Sequence, residues 1–251
     1  MTPPQQSSVK RVTKDLWIVR HGQATHNPKA EAAKAAGCSF DEFLELMRQD
    51  DSLDSELTPL GIEQARAAHV EYKERWSVKA APAFDLVVAS PLSRAIHTAD
   101  LIVPPAMATN RVCYESFREI NGWLLNAKRR SRTDLAAKFP AWNFELLESE
   151  HDNDWTETLE TNESGQKRGY QGLCWMLNRP EQRMLLVGHG GVLRHTMAFA
   201  DKVTMVDERS IPNGRQVQAR FDNCEVRRYR LAWEDETLQT DAKIVLREID
   251  V

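Results

Sequence analysis

Three short apolar runs, Leu16–Val19, Phe84–Ala89 and Met184–Val187, punctuate a chain in which polar and apolar residues otherwise mix. Unbroken runs bounded by Gly or Pro predict fully buried strands, although length alone does not exclude a helix. A fourth strand is expected in Asn110–Ser116, where Val112 and Tyr114 alternate with polar residues. Between these runs the period lengthens. Ile62, Ala65, His69, Tyr72 and Trp76 recur at spacings of three and four behind Thr58-Pro59, which predicts a capped helix with one core-facing side. Tyr170, Leu173, Cys174 and Leu177 predict another, ended by Asn178-Arg179-Pro180. Pro28–Asp51 reads as one or two helices laid over the sheet edge, packed through Phe40, Phe43, Leu44 and Met47. Ser90-Pro91 reads as a further cap and first turn.

Near the C-terminus, Val217–Phe221 and Val226–Leu231 alternate about an Asp222-Asn223 turn, which predicts a terminal antiparallel pair. Arg215, Arg227, Arg228 and Arg230 would face solvent on its edge strand. Strands alternating with helices define an α/β protein with a mostly parallel sheet. The expected organisation is a disordered leader at 1–14, a single domain at 15–251, and an insertion or lid at about 120–160.

Composition narrows the picture. With 251 residues, 41% of them hydrophobic, the chain can bury a sizeable core, and one large domain is favoured over two small ones. A net charge of -4 supplies no global basic field for nucleic acid. Cys38, Cys113, Cys174 and Cys224 lie far apart, which fits neither a zinc site nor a disulfide scaffold and favours reduced thiols in the cytoplasm. No apolar run approaches the roughly 18 residues that span a bilayer, so no membrane partner is expected. The leader lacks the apolar core of a secretory signal, and its lack of acidic residues before Asp15 leaves an organellar transit reading open. Asp50, Asp51 and Asp54 lack the spacing of a calcium loop and read as a solvated turn.

The candidate chemistry lies at the strand ends. Arg20, His21 and Gly22 follow the first buried run, where open α/β sheets form their ligand crevices and where Gly22 would let the backbone approach a ligand. Arg94 falls just past the second run, Glu119 just past the fourth strand, and His189 with Gly190 and Gly191 where the third run meets a helix N-terminus that would favour a bound anion. Each has an ordinary reading when taken alone. The tripeptide occurs by chance in many chains, Arg94 suits a helix surface, Glu119 suits an ion pair, and His69 suits a packed or rim position. Lys128, Arg129, Arg130 and Arg132 precede an acidic stretch, Glu145 to Glu160, which favours a substrate-facing lid or a solvated insertion over a nucleic-acid site.

Taken together, Arg20-His21-Gly22 with Asn27, Ser90-Pro91-Leu92-Ser93-Arg94-Ala95, Arg118-Glu119 with Gly122, and Gly188-His189-Gly190 resemble the histidine phosphatase family, the phosphoglycerate-mutase-like superfamily, from about Asp15 to Ala200. The basic Arg129-Arg130-Ser131, Phe139-Pro140 and Trp155 also resemble a eukaryotic phosphoglycerate-mutase-like subgroup. The resemblance implies a three-layer αβα sandwich with helices on both faces of the sheet. It also implies that His21 carries a phosphoryl group as phosphohistidine and that Arg20, Arg94, His189 and Asn27 donate to the phosphate. By family position Gln23 lies at the pocket, with Gly190 in the substrate-binding set, and Glu119 acts as general acid and then base.

No metal or cofactor is called for, because fixed cations do what a divalent ion does elsewhere. The partner expected is a small phosphorylated substrate; oligomeric state is open. The stretch after Glu119, Ile-Asn-Gly-Trp-Leu-Leu-Asn-Ala-Lys-Arg-Arg, lacks the signature associated with cofactor-dependent mutases, which favours a phosphatase. The alternatives are a phosphomutase and a non-catalytic binding module acting through the Trp142–Trp155 insertion.

Overall fold

A computed structural model describes residues 13–77, 82–210, 216–217, 220–234 and 242–251. Seven strands form one sheet: β1 (Thr13–Arg20), β2 (Phe84–Ala89), β3 (Ala108–Cys113), β4 (Arg183–Gly188), β5 (Val203–Asp207), β6 (Val226–Trp233) and β7 (Ile244–Ile249), in the order β3-β2-β4-β1-β6-β7-β5. Only β6 runs against the rest, pairing antiparallel with β1 on one side and β7 on the other. The helices among the described residues are α1 (Asn27–Ala35), α2 (Phe40–Arg48), α3 (Pro59–Trp76), α4 (Ser93–Ile102), α5 (Arg132–Lys138), α6 (Asn162–Leu177) and α7 (Gly190–Met197).

The period of two along the central strands divides the core between the two faces of the sheet. Trp17, Val19, Val87, Ala89, Leu185 and Val187 pack with Ala65, Ala68 and Trp76 of α3 and with Ala95, Ile96 and Ala99 of α4. Leu16, Ile18, Leu86, Val88 and Leu186 pack on the other side with Leu173 and Met176 of α6 and with Val192, Leu193 and Met197 of α7. Helices therefore cover both faces, as a sandwich of three layers requires. Since β1, β4 and β2 are buried on both faces, their unbroken apolar runs are what a parallel sheet demands.

Several local expectations are corrected. Strand β1 starts at Thr13, so the leader cannot extend to residue 14; Lys14 is buried and its ammonium donates to the Arg179 carbonyl. The C-terminal pair differs in kind. Val217 lies in a turn, Phe221 lies outside any strand, and the antiparallel partners of β6 are β1 and β7. Strand β6 is therefore internal. Arg227 is buried against Glu225 at 2.7 Å, Arg228 pairs with Asp15 at 3.0 Å, and only Arg230 is mostly exposed; Arg215 lies outside the described residues.

The basic cluster is not solvated as a unit. Arg129 is buried, reaching Glu115 at 2.6 Å and the carbonyls of Ser149, Glu150 and His151 at 2.8 to 3.0 Å. Lys128 lies over the Trp155 ring and Arg132 pairs with Glu150. These contacts join the basic and acidic blocks and fasten the 120–160 stretch, whose Leu135, Phe139, Trp142, Phe144 and Leu147 enter the core.

Candidate active site

The parallel register brings the three strand ends side by side. Arg20 pairs with Gly188 and Ala89 with Val187, so the next residues, His21, His189 and Ser90, leave the sheet together. His21 N–H donates to Gly188 O at 3.0 Å and Ser90 N–H to Val187 O at 3.0 Å, which carries the ladder one step beyond the strands. The ring centres of His21 and His189 lie 4.9 Å apart. The chain then passes α3 so closely that a Cβ on Gly22 would fall 2.5 Å from Gly61 O. Gly22 is therefore required for backbone packing against Gly61, not for approach to a ligand.

His21 is buried, with Nδ1 2.6 Å from the Gly22 carbonyl. A carbonyl can only accept, so Nδ1 carries the proton and Nε2 keeps its lone pair. Burial first, then the charges of Arg94 and Arg20, push the His21 pKa well below the ordinary value. His189 and a third histidine, His26, are lowered in the same way and for the same leading cause. All three rings are thus neutral at neutral pH. His26 sits 6.3 Å from His21, ring centre to ring centre.

Arg94 occupies the first turn of α4 and is fully buried. Burial lowers its pKa to about 10, with Asp54 and Glu119 opposing, so it stays charged at neutral pH. Its Nη1 donates to Asn126 O at 2.6 Å, whereas Nε and Nη2 are buried without a partner. Other buried arginines also leave Nε unpaired, but among the described residues Arg94 alone leaves a terminal guanidinium nitrogen so. Arg20 donates to Phe221 O at 3.1 Å and to Glu31 at 2.6 Å, leaving its Nε unpaired; Nδ1 of His189 and of His26 are unpaired too. Buried polar groups are nearly always satisfied, so donors orphaned around one histidine mark a place for an anion.

Two capping expectations change. Ser90 does not cap α4, which starts at Ser93; its hydroxyl lies 2.7 Å from His189 Nε2. The cap comes from Asp54, fully buried rather than in a solvated turn, which accepts from Ser93 N–H at 2.7 Å and from its hydroxyl at 2.6 Å. The N-terminus of α7 is also already taken. Glu119 Oε2 accepts from Gly191 N–H at 3.0 Å, and Oε1 from Val192 N–H at 2.9 Å and Ile120 N–H at 2.8 Å. The expected anion at this helix end is thus the protein's own carboxylate. Gly191 makes the room, since a Cβ there would meet Glu119 Oε1 at 2.3 Å.

Arg168 braces the same corner. Its Nη1 lies 3.3, 3.1 and 2.9 Å from the carbonyls of Glu115, Ser116 and Arg118, and its Nη2 3.3 Å from that of Glu119, while Glu160 pairs with it at 2.6 Å.

A cavity of about 170 Å³ opens over these groups, lined by Arg20, His21, Asn27, Glu119 and Gly190, with the fully buried His189 and Arg94 outside its lining. A hollow of about 830 Å³ lies elsewhere, beside Asn121, Glu160 and Arg168, and contains none of the histidines. Chemistry rather than size identifies the site. Asn27 accepts from Ala24 N–H at 2.9 Å and places its amide 3.1 Å from His26 Nε2. Gln23 is turned elsewhere: its side-chain oxygen accepts from the Thr58 hydroxyl at 2.9 Å, and it is absent from the cavity wall. Among the described residues no group of three or more His, Cys, Asp or Glu side chains could hold a metal ion, and no helix is long and apolar enough to cross a membrane.

Sequence reasoning missed His26, Ser90, Glu31, Arg220 and Asn223. His26, directly before Asn27, was the findable one. The others act through distant partners: Arg220 shares Glu31 with Arg20, at 3.2 Å, and Asn223 Nδ2 donates to His21 O at 2.9 Å. Cys224 N–H donates to Arg20 O at 3.0 Å.

A buried neutral imidazole beside guanidiniums, at the carboxyl edge of a mostly parallel sheet, gives this α/β protein a seat suited to an oxyanion. The chain belongs to the histidine phosphatase superfamily (branch 1), whose family model matches residues 16–234. It is 30% identical over 242 residues to phosphoglycerate mutase-like protein 1 of Arabidopsis thaliana, covering 85% of this chain and 79% of that one. It is 27% identical over 184 residues to the adenosylcobalamin/alpha-ribazole phosphatase of Escherichia coli, covering 71% and 74%. Among solved structures, mycobacterial glucosyl-3-phosphoglycerate phosphatase in complex with VO3 shares the fold, with a TM-score of 0.51, 18% identity, and 95% and 99% of the two chains covered.

Proposed function

We propose that the protein is a phosphatase that hydrolyses a phosphomonoester through a phosphohistidine on His21. One observation carries the reading: Nδ1 of His21 is engaged by the Gly22 carbonyl, which leaves a neutral, nucleophilic Nε2 beside guanidinium and imidazole nitrogens that lack partners. A tetrahedral oxyanion would satisfy those donors together.

In the first step the Nε2 lone pair forms a bond to phosphorus as the ester P–O bond breaks. The departing oxygen takes from Glu119 Oε2 the proton that this carboxylate has first accepted from the monoanionic phosphate ester. In the second step a water oxygen attacks phosphorus, the N–P electron pair returns to Nε2, and Glu119 takes up the water's proton. Oε2 is the oxygen suited to this, because it accepts one N–H whereas Oε1 accepts two. Arg20, Arg94 and His189 hold the equatorial oxygens, and Asn27 works by holding His26 and the turn. Positioning and charge supply most of the acceleration, as phosphoryl transfer requires.

The test is incubation with benzyl phosphate, followed by assays for inorganic phosphate and for an acid-labile phosphoenzyme. Both are expected in the wild type and neither in His21→Ala; a phosphoenzyme that persists in His21→Ala refutes the assignment. The mutase-like name of the Arabidopsis relative keeps one second reading, a phosphomutase. Activity that requires a bisphosphorylated primer would favour it.

A further inference from the structure

Helix α2 has a one-sided apolar surface yet no fully buried residue. Phe43, Leu44 and Met47 are half-buried, and Phe40, stacked on Phe43 with ring centres 6.3 Å apart, is 62% exposed. The helix has the means to hold its own N-terminus, since Ser39 and Glu42 form a reciprocal capping box. Its apolar side therefore faces something other than the core. It faces the cavity above His21, and Ile120, Leu124 and Leu159 supply the rest of the apolar wall.

Charge and apolar surface meet at Phe43. Lys34 Nζ lies 5.4 Å from the ring centre and the Arg220 guanidinium 6.0 Å, and Arg220 shares Glu31 with Arg20. The cavity wall thus combines the cations and imidazoles around His21 with one continuous apolar face, on which Lys34 and Arg220 border Phe43. Its volume, about 170 Å³, has to hold the phosphoryl group as well, against roughly 150 Å³ for an engineered apolar cavity that takes up benzene alone. A compact body fits; a sugar with many hydroxyls would turn some of them to that apolar face, which offers no hydrogen bonds, and that costs affinity even with Lys34, Asn162, Arg194 and His195 also in the wall.

We infer that the face of α2 formed by Phe43, Leu44 and Met47 is the subsite for the alcohol half of the substrate, which is therefore an apolar body no larger than about one ring carrying a single phosphoryl group. The inference rests on the phosphatase reading for the identity of the charged end. Non-hydrolysable phosphonates test the subsite apart from turnover. Calorimetric titration of the whole chain should show benzylphosphonate binding at least tenfold more tightly than 2,3-dihydroxypropylphosphonate, since apolar pockets discriminate by roughly tenfold or more per methylene-sized difference. The ratio should shrink severalfold in Phe43→Ser. Equal affinities in the wild type, or a ratio unmoved in Phe43→Ser, would overturn the subsite. In parallel, benzyl phosphate and glycerol 3-phosphate, both esters of primary alcohols, are assayed for hydrolysis. Equal phosphonate affinities with hydrolysis of both esters would sink the subsite and leave the phosphatase standing. Selective benzylphosphonate binding with no hydrolysis would keep the subsite and sink the phosphatase.

Discussion

Replacing Gly191 by Ala should disable proton transfer while leaving the protein folded. The added Cβ would lie 2.3 Å from Glu119 Oε1 and 2.9 Å from its Cδ, closer than such atoms come. The atoms in the way are the end of a flexible side chain, so Glu119 leaves and the backbone stays. The carboxylate then loses the N–H groups of Gly191 and Val192. For stability, losing this remote cap costs about 1 kcal/mol, and replacing a helical Gly by Ala returns up to about 1 kcal/mol. The urea midpoint should move little. For activity, a displaced general acid costs roughly 10²- to 10⁴-fold, most of it on esters with poor leaving groups. The assay is kcat for a series of alkyl and aryl phosphates: Gly191→Ala should depend more steeply on leaving-group basicity than the wild type. Glu119→Gln should behave alike, and the double variant should be no worse than Glu119→Gln, because both act on one group. Wild-type kcat on benzyl phosphate in Gly191→Ala, or effects that multiply in the double variant, would refute the reasoning.

Arg168→Lys keeps a charge beside Glu160 but loses the planar fork that reaches four carbonyls. It should therefore lower stability by about 1 to 2 kcal/mol and reduce kcat more than it raises KM, read from urea unfolding and steady-state rates. The buried histidines set an acid limit. Their pKa values are 6.5 in the unfolded chain and well lower when folded, so the unfolded state binds more protons below pH 6.5. Stability is then fully present above that pH and falls as pH drops, by up to about 1.4 kcal/mol per unit for each ring; urea midpoints at pH 7.5 and 5.5 check this, and a midpoint unchanged or higher at pH 5.5 contradicts it. Ser90→Ala removes the hydroxyl at His189 Nε2 and should slow turnover about tenfold, the rate equivalent of one hydrogen bond; an unchanged kcat would show that the ring is oriented by other contacts.

The parts legible in sequence were those whose signal is local. Buried parallel strands appear as apolar runs, and an Arg or His at the end of such a run is placed by the strand itself, so the positions of Arg20, His21 and His189 could be read without a structure, whereas Arg94 comes five residues after its run and is placed by the first turn of α4. The failures share a cause. Ser90 and Asp54 each fit a local pattern, a cap and a polar turn, and only tertiary packing reveals that they trade roles: the distant carboxylate caps α4 and the hydroxyl turns to His189. Arg129 looked like one of four solvated cations because composition counts charges and cannot show the carbonyls of Ser149, Glu150 and His151 around it. Strand β6 read as an edge because its arginines are charged; Asp15, which neutralises Arg228, comes from β1, whereas Glu225, which neutralises Arg227, stands only two residues away and was a signal the sequence offered.

The tether from Phe221 to Arg20 spans 201 residues, and Asn223 and Cys224 fasten the same turn. Such long closures are among the slowest contacts to form, because the chain must lose most of its freedom before they contribute. A nascent polypeptide that has not yet reached Phe221 has its first strand and Glu31, but lacks the carbonyl that holds the other arm of the Arg20 guanidinium beside His21. The site around His21 is therefore completed late in folding, and a product terminated before Phe221 would leave it unfinished.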